Sequence, residues 1–424
     1  MIRWGVIALM VAGSAAGVAR ADEDPDDALV VMAQRIAADQ ALFPAHDTEV
    51  LPGTFADHVA PLLPALHATV DRLREARGEA DLQRVNQVIG GERPISALPP
   101  IWLQELTRSH DAVAGVLRAS HARSALLPKD LRLFPFWGGG PATGIPLQQA
   151  IRLAVLDARA AAERGQGSEA AQLCLDAIAV ARALGHGYLV PRLFSDGELP
   201  HLAQGCAFTV RSMDAPTLAH FQASLSGLLS TWTPLSWTFE QESVFGQLSG
   251  FAASLDDGLL ARLPKAALAL TKVPEDMKTV SDSSLSARVR QTLFGSWARR
   301  RYAQAMKRWC QIVDDPRANR TAVLAELDDS LSLPFKLLGD EQQVRNYAKF
   351  AQRDLDQRTA LIGLLAVTYV ARFHQVRGAW PSSLAEAGFP SRWVDLTTGQ
   401  PLRIDPRAGQ PAVVAGTLRL PLAK

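Results

Sequence analysis

The stretch from Leu147 to Gly185, "LQQAIRLAVLDARAAAERGQGSEAAQLCLDAIAVARALG", limits the possible folds more than any other part of the chain. Apolar residues recur three and four positions apart on both sides of a single interruption, Arg164 to Ser168, and alanine fills the positions between them. That period is helical, and small residues at the contact face let two helices approach closely across a tight turn. Ser168 is placed to cap the second helix, because its hydroxyl can take up an otherwise unpaired N–H. The same period continues over most of the sequence. The expected architecture is therefore mostly α, with stacked helical hairpins in an α-solenoid-like body.

Upstream, Asp24-Pro25 forms a cap and a first helical residue, and Leu29, Met32, Ile36 and Leu42 keep helical spacing behind it. Leu62, Leu63, Leu66, Val70 and Leu73 repeat the pattern, with Gly78 at the expected end. Pro99-Pro100 opens a further helix carrying Trp102, Leu103, Leu106, Val113 and Leu117. Downstream of the hairpin, a helix is expected from Arg192 to Ser212, and another follows Asp214-Ala215-Pro216. Residues 126–146 are rich in Pro, Gly and aromatics and read as a joint. Their glycines fit neither GxGxxG nor GxxxxGK, so no phosphate loop is expected there. The resulting organisation is a leader over 1–21, an N-terminal helical region over 22–125, the joint, a helical-hairpin region over 147–342, and a long helix with a small strand-containing cap over 343–424.

The leader has one basic residue (Arg3), an apolar stretch from Trp4 to Ala19, and Ala19-Arg20-Ala21 ahead of "DEDPDD". This is the pattern of a cleaved secretory signal; the alternative is a retained anchor, against which Gly13, Ser14 and Gly17 count. Removing it takes Lys plus Arg from 44 to 42 against 43 acids, a formal charge of −1. A balance so near neutral gives no drive toward nucleic acid. Three cysteines are present, with no CxxC. Cys174 and Cys206 fall on neighbouring expected helices and are the pair an exported chain could join. A small buried core residue is the other reading of each.

Three stretches resemble known families. "ERGQGSEAAQLCLDAIAVARALG" resembles a tetratricopeptide-type helical hairpin, which implies a partner-binding surface; the family's Trp-x-x-Leu-Gly and terminal Pro positions, and its repeat of about 34 residues, are not matched. Gln241-Glu242-Ser243 followed by Phe245 resembles the catalytic string of soluble lytic transglycosylases. That resemblance implies Glu242 as a general acid on a glycosidic bond, a role suited to a carboxyl raised by an apolar pocket. The family's Gly-Leu-Met-Gln continuation is replaced here by "FAASLDDGLL". The ordinary alternative leaves Glu240 and Glu242 solvated or paired on a helix face. From Arg358 to Asp405, an apolar helix, Gly378-Ala379-Trp380-Pro381, "SLAEAG" and "DLTTGQPLRI" follow one another. This order resembles the helix-to-sheet segment of pseudopilins and the C-terminal module of large exported helical bacterial proteins. Pilin-type processing needs a Glu in an N-terminal apolar helix, and the leader has none. The segment is therefore expected to close the fold, covering the last helix with Trp380, Phe389 and Trp393.

A basic stretch, Arg288 to Trp309, gathers Arg288, Arg290, Arg299, Arg300, Arg301, Lys307 and Arg308 with Trp297, Tyr302 and Trp309. Arg299, Arg300, Arg301, Lys307 and Arg308 form the candidate interaction surface, for anionic headgroups or an acidic partner. The other reading is a solvated face with its aromatics turned inward, balanced by the acid pairs at 314 and 328. Nine histidines show neither HExxH nor a helix-spaced pair, and Gly-x-Ser-x-Gly is absent. No cofactor or metal is implied. The sequence thus points to an exported, non-enzymatic scaffold or binding protein whose partner is a protein or an envelope component, with a glycan-cleaving enzyme centred on Glu242 as the alternative.

Overall fold

Helices form where the apolar period runs, and several of them open on a cap or a proline. The computed structural model describes residues 24–39, 50–75, 78–133, 142–272, 285–315, 343–406 and 411–422, with Ala318 and Ala322. The leader, Leu42, Gly138 to Gly140, the side chains of Arg288 and Arg290, and Asp328-Asp329 lie outside the described residues.

In chain order the elements are α1 (Pro25–Ala38), β1 (Leu51–Thr54), α2 (Phe55–Val59), α3 (Leu63–Glu75), α4 (Glu79–Ile89), α5 (Pro100–Arg108), α6 (His110–Ala119) and β2 (Ala122–Ser124). Then come α7 (Gly144–Glu163), α8 (Gly167–Gly185), α9 (Leu189–Thr209), α10 (Ala215–Ser230), α11 (Leu235–Phe245), α12 (Asp257–Arg262), α13 (Leu285–Ile312) and α14 (Gln343–Arg377). The chain closes with β3 (Arg403–Asp405), β4 (Ala412–Ala415) and β5 (Leu418–Pro421). The protein is mostly helical, with a small three-stranded antiparallel sheet in the order β3-β4-β5 at its C-terminal end.

Local chemistry explains most of the boundaries. Asp24 accepts the Asp26 N–H at 3.1 Å and Asp214 accepts the Thr217 N–H at 2.9 Å, so both expected caps form. Ser168 does not cap: α8 begins at Gly167 behind Gln166, with Ser168 already inside it. The helix expected from Pro100 divides at Ser109, whose hydroxyl donates to the Glu105 carbonyl at 2.5 Å. Such back-bonding competes with the helical ladder and bends the chain. Gly78 starts α4 rather than ending α3. "SLAEAG" forms turns, not a helix: Ser383 accepts the Glu386 N–H at 3.2 Å and Glu386 accepts the Ser382 N–H at 2.6 Å, closing one loop that stops at Gly388.

The main core joins α2–α10 to α14 and the sheet through residues such as Trp102, Ile151, Ile178, Leu202, Phe221, Leu364 and Val413. α7, α8 and α9 pack on one another, and α14 returns from far along the chain to lie against α9 and α10. A second cluster, Phe239, Tyr302, Trp309, Tyr347 and Phe350 among others, joins α11 and α13 to the first half of α14. A third holds α1 through Leu29, Val30 and Ala33 against Val244, Leu248 and Leu259. The segment Lys349–Arg377 is long and apolar enough to cross a bilayer, yet 61% of its most apolar window is buried inside the protein.

The closing segment covers α14 as expected. Gly378, at φ 70°, ends the helix in the left-handed region that glycine favours. Trp380 stacks on His374 at 3.9 Å, and Phe389 meets Tyr369 edge-on at 5.4 Å. Gly363 lets α14 touch the sheet: a Cβ there would stand 2.5 Å from Ala415 Cβ and 3.0 Å from Leu420 Cδ1. Gly363→Val should therefore lower stability by about 1–3 kcal/mol, the usual cost of overpacking, measured by urea denaturation.

Candidate functional site

The sequence candidate Glu242 sits on α11, and folding places it in the interior at 6% exposure. Its Oε1 accepts the Leu189 N–H at 2.9 Å, so the carboxyl caps the first turn of α9 from outside that helix. Burial holds the carboxyl up at about 7, against the lowering effect of the Leu189 N–H. The Tyr302 hydroxyl donates to the Glu242 backbone carbonyl at 3.2 Å. Glu240, two residues earlier, faces outward to Arg35 at 3.2 Å. The pair expected to share one solvated or paired face is thus split between inside and outside.

The basic stretch is split as well. Arg299 is 2% exposed and donates to Asp26 Oδ1 at 2.6 Å, which ties α13 to the acidic start of α1. Tyr302 and Trp309 pack inward beside it. Arg300, Lys307 and Arg308 remain exposed, and the Arg301 guanidinium lies 6.0 Å from the Trp297 ring. Asp314 is directed elsewhere: it accepts the Leu235 and Ser236 N–H groups at 2.7 and 2.8 Å, capping α11. α1 is held at further points by Asp27 with Arg262, by Asp39 with His186 at 2.6 Å, and by Arg35 over the Trp237 ring at 4.5 Å.

A charged cluster, unsuspected from the sequence, lies between α9, α11 and α14. Arg192 is fully buried: Nε donates to Asp354 at 2.6 Å, Nη1 to Thr238 at 3.0 Å and to the Gly185 carbonyl at 3.2 Å, and Nη2 to the Thr233 carbonyl at 3.2 Å. Arg358 donates to the other Asp354 oxygen at 2.8 Å. The Asp196 carboxyl lies against Asp354 in the same dry space, and burial followed by the Asp354 charge pushes it well above the carboxylate range. Burial opposes ionisation of Asp354 too, but Arg192 and Arg358 hold it below its usual value. The pair keeps one proton, on Asp196, as two carboxyl groups side by side in a low dielectric must. Among the described residues the cluster is closed to solvent: Arg192, Asp196 and Asp354 are at most 1% exposed. Its role is to join helices.

An open concavity lies elsewhere on the described surface. Gln83, Asn86 and Gln87 on α4, Gly90 and Glu92 just beyond it, Gln204 on α9, and Arg419 and Pro421 on β5 line a cleft of about 560 Å³. Gln83, Asn86, Gln87 and Gly90 follow the i, i+3, i+4, i+7 spacing of one helix face, while Val85, Val88 and Ile89 bury the other. His201 meets Asn86 Oδ1 at 3.2 Å, and Arg419 lies 3.8 Å from Asp405. The size falls in the range of small-molecule sites, about 300–1,000 Å³. "DLQRVNQVIGGE" carried the helical amide stripe, but Gln204 and β5 join it only through folding. Among the described residues no group of three His, Cys, Asp or Glu side chains is arranged to hold a metal.

Fold and cleft together define a mostly helical protein with a small C-terminal sheet and a polar, amide-lined surface concavity. The chain matches no protein-family model, no curated protein and no solved structure.

Proposed function

We propose that the chain is an exported, non-enzymatic binding protein of the periplasm or cell envelope, with the cleft between α4, α9 and β5 as its contact site. The observation that carries this reading is that an open concavity is lined by amides, whereas the buried acids Glu242 and Asp354 are engaged in holding helices together. Export is supported by the disulfide between Cys174 and Cys206, buried between α8 and α9 with Cα atoms 5.9 Å apart, since such bonds persist in oxidising compartments. The hairpin α7–α8 and the helix-to-sheet close support the tetratricopeptide-like and pseudopilin-like readings as shapes only. Exposed Arg300 and Lys307 support a peripheral contact with an anionic membrane surface.

The alternative, a glycan-cleaving envelope enzyme with Glu242 as general acid, has one observation in its favour: a carboxyl held near neutrality. Its committed hydrogen bond and its burial favour the binding reading. Incubating the full chain and its Glu242→Gln variant with isolated peptidoglycan separates the two. No soluble saccharide should be released by either protein, and a product that disappears in Glu242→Gln would establish the enzyme. The variant should also lose a titration. Glu242 has a raised folded pKa, so its stability contribution is complete below about pH 4 and declines as pH rises through about 7. Urea midpoints of Glu242→Gln should accordingly fall less than those of the parent between pH 5 and pH 8.

A further inference from the structure

Resting on the reading of the chain as a binding protein, we propose that the cleft between α4, α9 and β5 takes a neutral, hydroxyl-rich ligand: a short glycan segment. Four of its lining side chains, Gln83, Asn86, Gln87 and Gln204, are amides. Each amide both donates and accepts in one plane, which matches a pair of neighbouring sugar hydroxyls, themselves donors and acceptors. Among the described residues no side chain or backbone group bonds the amides of Gln83, Gln87 or Gln204, so their bonding capacity faces the cleft and solvent. Charge does not select the ligand, because the lining carries one acid, Glu92, and one base, Arg419, the latter beside Asp405.

One wall is set in advance. Arg159, 1% exposed, donates to the Ile89 and Arg93 carbonyls at 3.4 and 3.3 Å and fixes the turn that carries Gly90 and Glu92. Its guanidinium stacks at 3.5 Å on Phe208, one turn along α9 from Gln204. Gly91 in that turn has φ 81°, and a Cβ there would come within 2.6 Å of Phe208. A wall whose backbone is already held loses less order on binding. A peptide would need pockets for alternate side chains, and Pro421 is the one apolar side chain among the lining residues. That favours the glycan.

Saturation-transfer NMR on the full chain with three neutral tetrasaccharides (chitotetraose, maltotetraose and cellotetraose) tests the idea, with an acetylated tetra-alanine amide as the peptide comparison. At least one saccharide should receive saturation, and its affinity should stay within about twofold in 0.5 M NaCl, since no ion pair is involved. The double variant Gln83→Ala/Gln204→Ala should bind about tenfold more weakly, with an unchanged melting curve showing that the fold is kept. Failure of all three saccharides, transfer to the peptide alone, or equal affinity in the variant would overturn the ligand class while leaving a binding protein in place. Cleavage of the bound saccharide would leave the ligand class standing and remove the non-enzymatic reading.

Discussion

Arg192→Met will cost about 3–5 kcal/mol of stability, or prevent folding altogether, because it leaves the Asp354 carboxylate buried with half of its counter-charge gone. Arg192 is the shared partner of three segments: it holds Asp354 of α14, Thr238 of α11 and the carbonyls that end α8 and precede α11. The measurement is a urea titration of parent and variant followed by far-UV circular dichroism. A companion change works in the opposite sense. Asp196 is raised by burial and by Asp354, so the native state keeps a proton that the unfolded chain releases above about pH 4. Its contribution is full below that pH and falls, by up to about 1.4 kcal/mol per unit, until pH passes the folded value. Asp354 is depressed, so its contribution is present above its unfolded value and lost on acidification. Asp196→Asn should keep the packing and flatten the alkaline decline; urea midpoints from pH 5 to pH 9 that fall as steeply as the parent's would show that Asp196 does not carry the proton.

Opening the Cys174–Cys206 bond will lower stability by about 3–4 kcal/mol, the loop-closure effect expected for 32 residues of separation. Both cysteines are 0% exposed, so a reductant should act only when the chain opens. The double variant Cys174→Ala/Cys206→Ala should thus show a lowered urea midpoint. The parent should resist dithiothreitol in buffer and become reducible near its own midpoint. Rapid reduction of the folded parent would contradict the buried placement. Cys310, left over, is half-buried and its thiol is pushed up by burial, which makes it a poor nucleophile.

Much of the helical content was legible because it is written locally. Alanine and leucine at helical spacing define α7 and α8, and Asp24, Asp214 and Gly378 mark ends by chemistry confined to three or four residues. Shifts of boundary arose where local signals competed: Ser109 broke a helix whose apolar face ran straight through it, and "SLAEAG" was too short to propagate beyond one turn. α4 is hidden in the sequence because its exposed side is a stripe of amides, which looks like a loop until Val85, Val88 and Ile89 find a core. Neither role that the sequence offers Glu242, general acid or a carboxylate solvated or paired on a helix face, includes a helix cap supplied from another element. Arg299 and Arg300 are neighbours in sequence, yet one is buried against Asp26 and the other exposed.

The amino-acid order by itself determined a helical body, its main interruptions and a short stranded close, since these depend on hydrogen bonds and side-chain periods within a few residues. Only the tertiary structure decided which charges would be buried together, as with Arg192, Asp196 and Asp354, and which amides would face one cleft. Those groupings join residues more than a hundred positions apart, and the electrostatic cost of burying a charge is set by whatever the folded chain brings beside it.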